Sequence, residues 1–185
     1  MNVPNALTTL RIILSPGLAL FAVRGSASAF LWLFLALEVT DWLDGKLAVW
    51  LDQRSEFGAR LDSIADMVMY TLLLGGLLLL EGDVLAREWL WLVPALAGYA
   101  LSWILSLARF GQMPSYHTLT AKASYFLVIG ATIGLLAGDL VWPVRVAAVG
   151  VAAANLEAVL LTLTLDAPRS DVPSIFTLTD DDGAE

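Results

Sequence analysis

Four aspartates in one short stretch, Asp41, Asp44, Asp62 and Asp66, are the residues of this chain best placed to do chemistry. They lie among apolar runs, where carboxylates repel one another and resist leaving water. Such a cluster persists only with positive charge among its members. Mg²⁺, Mn²⁺ and Ca²⁺ all take carboxylate oxygens, so a divalent metal is the natural candidate. Asp41 and Asp44 are three residues apart, and Asp62 and Asp66 four. On helices each pair projects from one face, and two helices meeting at their ends would gather all four. Gly45 and Gly58 leave room for a neighbouring helix or for a ligand against backbone.

The elements that must position these residues are apolar and helical. The chain of 185 residues is 58% hydrophobic and only 15% charged, with a mean hydropathy of +0.76. Water-soluble domains of this length rarely have such a composition. It predicts an all-α integral membrane protein. Six apolar stretches approach the roughly 20 residues that span a bilayer. They are placed at Leu7–Val23, Ala29–Val49, Leu61–Leu80, Trp89–Ala108, Leu119–Ala137 and Val141–Leu165. Residues 1–165 form the membrane domain. Residues 166–185 form an acidic tail whose prolines and Asp-Asp-Asp-Gly run predict disorder.

Charge sets the orientation. With a cytoplasmic N-terminus, Arg11, Lys46, Arg54, Arg60, Arg109, Lys122 and Arg169 fall inside, and Arg24, Arg87 and Arg145 outside. Seven against three obeys the positive-inside rule and places the aspartates on the cytoplasmic face. The first stretch does not read as a cleaved leader: residues 1–10 carry no basic residue, and Arg11 interrupts the apolar region. Pro4 suits a helix start, capped by Asn2 or Asn5. The net charge of −8 is concentrated in the tail, which sets six acids against Arg169, and it implies no nucleic-acid partner. With no cysteine, disulfides, thiolate catalysis and Cys-based zinc sites are excluded.

Other residues carry two readings. Glu38, one turn before Asp41, is an outer-shell partner of the cluster or faces a polar cavity. Arg109, His117 and Lys122 flank the link between the fourth and fifth spans. They anchor helix ends at the headgroups, or they form a basic pocket for an anionic acceptor, Arg as a planar fork and Lys as a point charge. Gly130, Gly134 and Gly138 recur every four residues, a pattern for close helix packing within the bundle or between protomers. The tryptophans near span ends read as interfacial belts.

The aspartate stretch resembles the signature of the CDP-alcohol phosphotransferase family, D-x2-D-G-x2-A-R-x8-G-x3-D-x3-D. Here it reads Asp41-x2-Asp44-Gly45-x2-Ala48, then Val49, eight residues, and Gly58-x3-Asp62-x3-Asp66, matching at seven of eight positions. The departure is Val49, where the family has arginine. Lys46 or Arg54 are conjectured substitutes. Residues 2–11 also resemble the opening of many members.

The resemblance implies transfer of a phosphatidyl group from CDP-diacylglycerol to a small polar alcohol, releasing CMP. It implies two divalent metals, Mg²⁺ or Mn²⁺, bound by Asp41, Asp44, Asp62 and Asp66, with Asp66 also the catalytic base. Gly45, Ala48 and Gly58 would line the cytidine pocket. Arg109 and Lys122 would bind a phosphorylated acceptor, and the enzyme would be a homodimer in the cytoplasmic membrane. Length and the opening residues resemble phosphatidylglycerophosphate synthases, which makes glycerol 3-phosphate the expected acceptor. Those enzymes usually read DPxADK where this chain has residues 62–67 as Asp-Ser-Ile-Ala-Asp-Met, and they tend to carry an Arg-Glu pair missing from residues 99–109. The Asp62-Ser63 pair looks more like phosphatidylserine synthases, so serine and inositol-type acceptors stand as alternatives. Two further readings compete. A small cation transporter is disfavoured because the acids lie at one face and no second half repeats them. A scaffold would dimerise through the glycine face and recruit partners through its tail.

Overall fold

The computed structural model describes residues 2–114, 116, 118–169 and 172–177. Among the described residues the chain is helical throughout, with no strand. It divides into two compact units, Met1–Leu85 and Ala86–Glu185.

The first unit holds α1 (Val3–Leu14), α2 (Pro16–Val23), α3 (Ala27–Trp50) and most of α4 (Glu56–Arg87). The Asn2 side chain caps α1 by accepting from the Asn5 amide at 3.2 Å, and Pro4 sits in the first turn, where its missing N–H costs nothing. The helix thus starts at Val3, four residues ahead of the expected start at Leu7. α1 and α2 make one apolar stretch, Val3–Val23, jointed at Ser15 by Pro16. Gly25 turns the chain into α3 at a φ of +66°, a left-handed conformation that glycine adopts at little cost. At the end of α3 the Gln53 amide closes on the Ala48 carbonyl at 3.0 Å, with Asp52 left-handed at a φ of +50°.

Leu18, Phe30, Phe34, Leu37, Ala65 and Met69 form the buried centre of this unit. α4 approaches α3 closely at Gly76, where a Cβ would fall 2.2 Å from Phe30 Cε2. α4 also runs past the apolar stretch at both ends, with a non-helical φ of −131° at Glu81.

The second unit holds α5 (Trp89–Phe110), α6 (Leu119–Gly138) and α7 (Trp142–Thr164), with α7 packed on both others. Ser102 on α5 donates to Asn155 Oδ1 on α7 at 3.2 Å, a polar contact of the kind that joins helices in lipid. A Cβ at Gly134 would fall 3.1 Å from Pro143 Cγ and one at Gly150 2.7 Å from Leu127 Cδ1, whereas one at Gly130 would meet open space. The middle of the glycine ladder therefore packs α6 onto the start of α7. Arg145 forks onto Glu88 at 2.7 and 2.8 Å, which holds the Glu88 carboxyl below its ordinary pKa.

Residues beyond α7 return to the α5–α6 link. The Val172 amide donates to the Tyr116 carbonyl at 2.9 Å, and the Leu119 amide to the Pro173 carbonyl at 3.0 Å. Tyr116, Leu161, Leu165 and Val172 share a small core. Buried Glu157 accepts from Ser174 Oγ at 2.8 Å, the Ile175 amide at 3.0 Å and Thr120 Oγ1. Glu157→Ala removes the shared acceptor, and the Ile175 amide is expected to exchange its hydrogen roughly tenfold faster, about 1.4 kcal/mol of local stability. Unchanged exchange at Ile175 would show that Glu157 does not tie this segment down. His117 and residues 178–185 of the expected tail lie outside the described residues.

Five helical stretches among the described residues are long and apolar enough to cross a membrane, against the six expected. The sixth, α3, is 24 residues long, but Glu38, Asp41, Asp44 and Lys46 crowd its second half. Large apolar side chains such as Ile13, Val23, Leu79, Ile104 and Phe126 point outward, as a lipid solvent requires. Trp50, Trp89, Trp91 and Trp142 stand at helix ends.

Candidate functional site

The positive charge demanded by the four aspartates is present in the chain itself. One face of α1 buries Pro4, Asn5, Thr8 and Arg11. Arg11 is fully buried, and its guanidinium lies among all four carboxylates. Nη1 donates to Asp41 Oδ1 and Nη2 to Asp62 Oδ1. Nη2 also lies 3.5 Å from Asp66 Oδ1 and 3.8 Å from Asp44 Oδ2. Arg11 Nε is buried and has no hydrogen-bond partner among the described residues. Taken from sequence as one more cytoplasmic-side charge, Arg11 is instead the centre of the cluster.

The two aspartate pairs reach it as helical spacing predicts. Asp41 and Asp44 come from the second half of α3, and Asp62 and Asp66 from the first turns of α4. Their environments differ. The Asp44 side chain is 6% exposed and accepts from Thr8 Oγ1 at 2.8 Å, while that of Asp66 is 40% exposed. Asp41, Asp62 and Asp66 each offer one oxygen, all within 4.8 Å of one another. Three converging carboxylate oxygens are the hard donor set that Mg²⁺ or Mn²⁺ takes, so the residues fit a divalent cation. Asp44 stands outside that triad, held by Thr8. Glu38 is buried on α3 one turn earlier.

The glycines differ in what they make room for. At Gly45 a Cβ would meet nothing within 4 Å, which leaves open space along α3. At Gly58 it would fall 2.8 Å from Asn5 Oδ1 and 3.1 Å from Ser55 Oγ, so this glycine serves the approach of α4 to α1. Ala48 is half-buried, and Val49 is exposed. Of the conjectured substitutes for the missing arginine, Lys46 sits over the Trp42 ring at 5.5 Å, and Arg54 is exposed in the α3–α4 link.

Arg109 and Lys122 belong to the second unit. Arg109 Nη1 donates to the Leu163 carbonyl at 2.7 Å, where it satisfies the C-terminal end of α7. Lys122 is exposed in the first turn of α6. Asn5, Thr8 and Arg11 escaped the sequence reading as site residues. Their signal was available: polar side chains every third residue along an apolar helix, ending in an intramembrane arginine.

Membrane-length helices, with three carboxylates converging in the first unit where they could hold a metal ion, describe an all-helical membrane protein. The chain belongs to the CDP-alcohol phosphatidyltransferase family, whose model matches residues 1–163. That family uses divalent metal. The chain is 37% identical over 131 residues to a CDP-diacylglycerol–glycerol-3-phosphate 3-phosphatidyltransferase of Cereibacter sphaeroides, covering 69% of this chain and 54% of the relative. It is 43% identical over 72 residues to a protein of the same description from Pseudomonas fluorescens, covering 37% of each. A CDP-diacylglycerol–serine O-phosphatidyltransferase of Mycobacterium bovis is 34% identical over 142 residues, covering 72% of this chain and 48% of the relative. The chain thus spans about half or less of the length of these relatives. No solved structure matches it.

Proposed function

We propose that this protein transfers the phosphatidyl group of CDP-diacylglycerol to glycerol 3-phosphate and releases CMP. The observation that carries this reading is the convergence of Asp41, Asp62 and Asp66 at the family's spacing. In the reaction the acceptor hydroxyl loses its proton to a carboxylate, its oxygen bonds to the phosphatidyl phosphorus, and the bond from that phosphorus to CMP breaks. Asp66 has the most exposed carboxylate of the four, which suits the base that must reach an incoming hydroxyl. A hydroxyl with a pKa far above neutrality needs such a base at the moment of attack. Asp41, Asp44, Asp62 and Asp66 would hold two divalent ions, Mg²⁺ or Mn²⁺, which when bound neutralise the donor diphosphate and the departing CMP. Gly45, where an added Cβ would meet open space, and Ala48 line the cytidine side, and Gly58 completes it by letting α4 approach α1. Arg109 and Lys122 bind the acceptor phosphate.

α3 is read as the sixth span, its acids shielded by Arg11. With Arg11 inside the cluster, six basic residues against three still favour a cytoplasmic-facing site in the inner membrane. A homodimer is the expected assembly. Serine is the second acceptor reading, favoured by the 34% identity to the mycobacterial protein and by the Asp62-Ser63 pair.

The test is CMP release by the purified protein with CDP-diacylglycerol and Mn²⁺, offering glycerol 3-phosphate, serine, inositol and inositol phosphate separately. Release with glycerol 3-phosphate alone is the expected result. Release with serine alone would move the assignment to the second acceptor, and release with none would remove the activity.

A further inference from the structure

We infer that Arg11 is an exchangeable counter-ion, which holds the four carboxylates together before a divalent cation binds and gives up its place when one does. The inference rests on the metal-binding reading above and adds how that site is loaded. Its basis is a conflict of position. The oxygens of Asp41, Asp62 and Asp66 converge within 4.8 Å, and two of these carboxylates, Asp41 and Asp62, accept from the Arg11 guanidinium. A cation drawn in among these three carboxylates would sit against the guanidinium, and two like charges at that range repel.

Arg11 is also held in a way that permits release. Its Nε finds no partner among the described residues, so its hydrogen bonds are those of the Nη groups to the aspartates. Among the described residues no backbone carbonyl fixes the head group in place. The Thr8 hydroxyl meanwhile steadies Asp44 at 2.8 Å, so one carboxylate keeps a neutral partner when the guanidinium leaves. Four carboxylates with neither cation would repel strongly in a poorly hydrated site. Loading is therefore a displacement: the cluster is never left bare, and apparent metal affinity is set by competition with a tethered side chain. Arg11 is a positioning residue for the aspartates.

The test uses the full chain in detergent. Mn²⁺ affinity is measured from the electron paramagnetic resonance signal of free Mn²⁺, and thermal unfolding is followed in EDTA and in saturating Mn²⁺. Arg11→Gln is expected to bind Mn²⁺ about tenfold tighter or more, since one competing charge-assisted interaction is lost. It is also expected to unfold at lower temperature in EDTA, with the deficit closing in Mn²⁺. Equal or weaker Mn²⁺ affinity, or the same thermal deficit with and without the metal, would overturn the exchange and leave Arg11 a plain structural residue. If Arg11→Gln folds only with Mn²⁺ present, that dependence supports the exchange. If it does not fold at all, Arg11→Lys decides through its Mn²⁺ affinity, with an unchanged value counting against exchange. Failure of wild type and variant alike to bind Mn²⁺ would instead sink the metal reading beneath it.

Discussion

Asp66→Asn is expected to lower the rate of CMP release about a thousandfold or more while leaving the fold intact, because in the proposed reaction it removes the base and one charged metal ligand in one step. The substitution keeps the side chain's shape and discards its charge. Asp66 lies 3.5 Å from Arg11 and forms the cation triad with Asp41 and Asp62. Two losses follow from one atom exchange: no carboxylate to take the acceptor proton, and two anionic oxygens where three had converged. Turnover of CDP-diacylglycerol at saturating glycerol 3-phosphate, with circular dichroism as a check on folding, measures the effect. Activity within tenfold of wild type would rule Asp66 out as the base.

Gly76→Ala is expected to destabilise the first unit by about 1–3 kcal/mol, the usual cost of overpacking a filled core. The added carbon would stand 2.2 Å from Phe30 Cε2 and 2.7 Å from Cζ, and Phe30 is fully buried with little room to turn. Gly75 is the internal control, since a Cβ there would meet nothing within 4 Å. Gly75→Ala should leave stability unchanged or raise it slightly, as alanine favours helix over glycine. Combining Gly76→Ala with Phe30→Leu should recover part of the loss, a coupling between neighbours that a double-mutant cycle reads directly. Thermal unfolding in detergent measures all three. A Gly76→Ala protein as stable as wild type would mean that α3 and α4 do not approach as closely as described.

Much of the architecture was legible because the chain's physics is local. Apolar runs of membrane length marked α5, α6 and α7, and the breaks at Gly25 and Asp139 became left-handed turns with φ of +66° and +50°. The pairing of aspartates by helical spacing was equally legible. Two things were not. The ends of α4 were hidden because hydropathy stops where charge begins, while helical structure starts at Glu56 and, beyond a kink at Glu81, resumes as far as Arg87. Arg11 was hidden because a lone arginine in an apolar stretch reads as one more cytoplasmic-side charge. Its role depends on partners 30 and 51 residues away, which no local pattern reports. The same long-range dependence explains Gly58, whose lack of a side chain answers to Asn5 on another helix.

The start of α1 is bound to the link between α3 and α4: Asn2 Nδ2 donates to the Gln53 carbonyl at 3.1 Å, and the Val3 amide to Gln53 Oε1 at 3.3 Å. That link separates the two halves of the aspartate signature. A purification handle fused ahead of Asn2 would emerge there, compete for Gln53, and loosen the spacer between Asp44 and Asp62. Low turnover in such a fusion would report on the handle, and comparison with a protein freed of it belongs before any judgement on the enzyme.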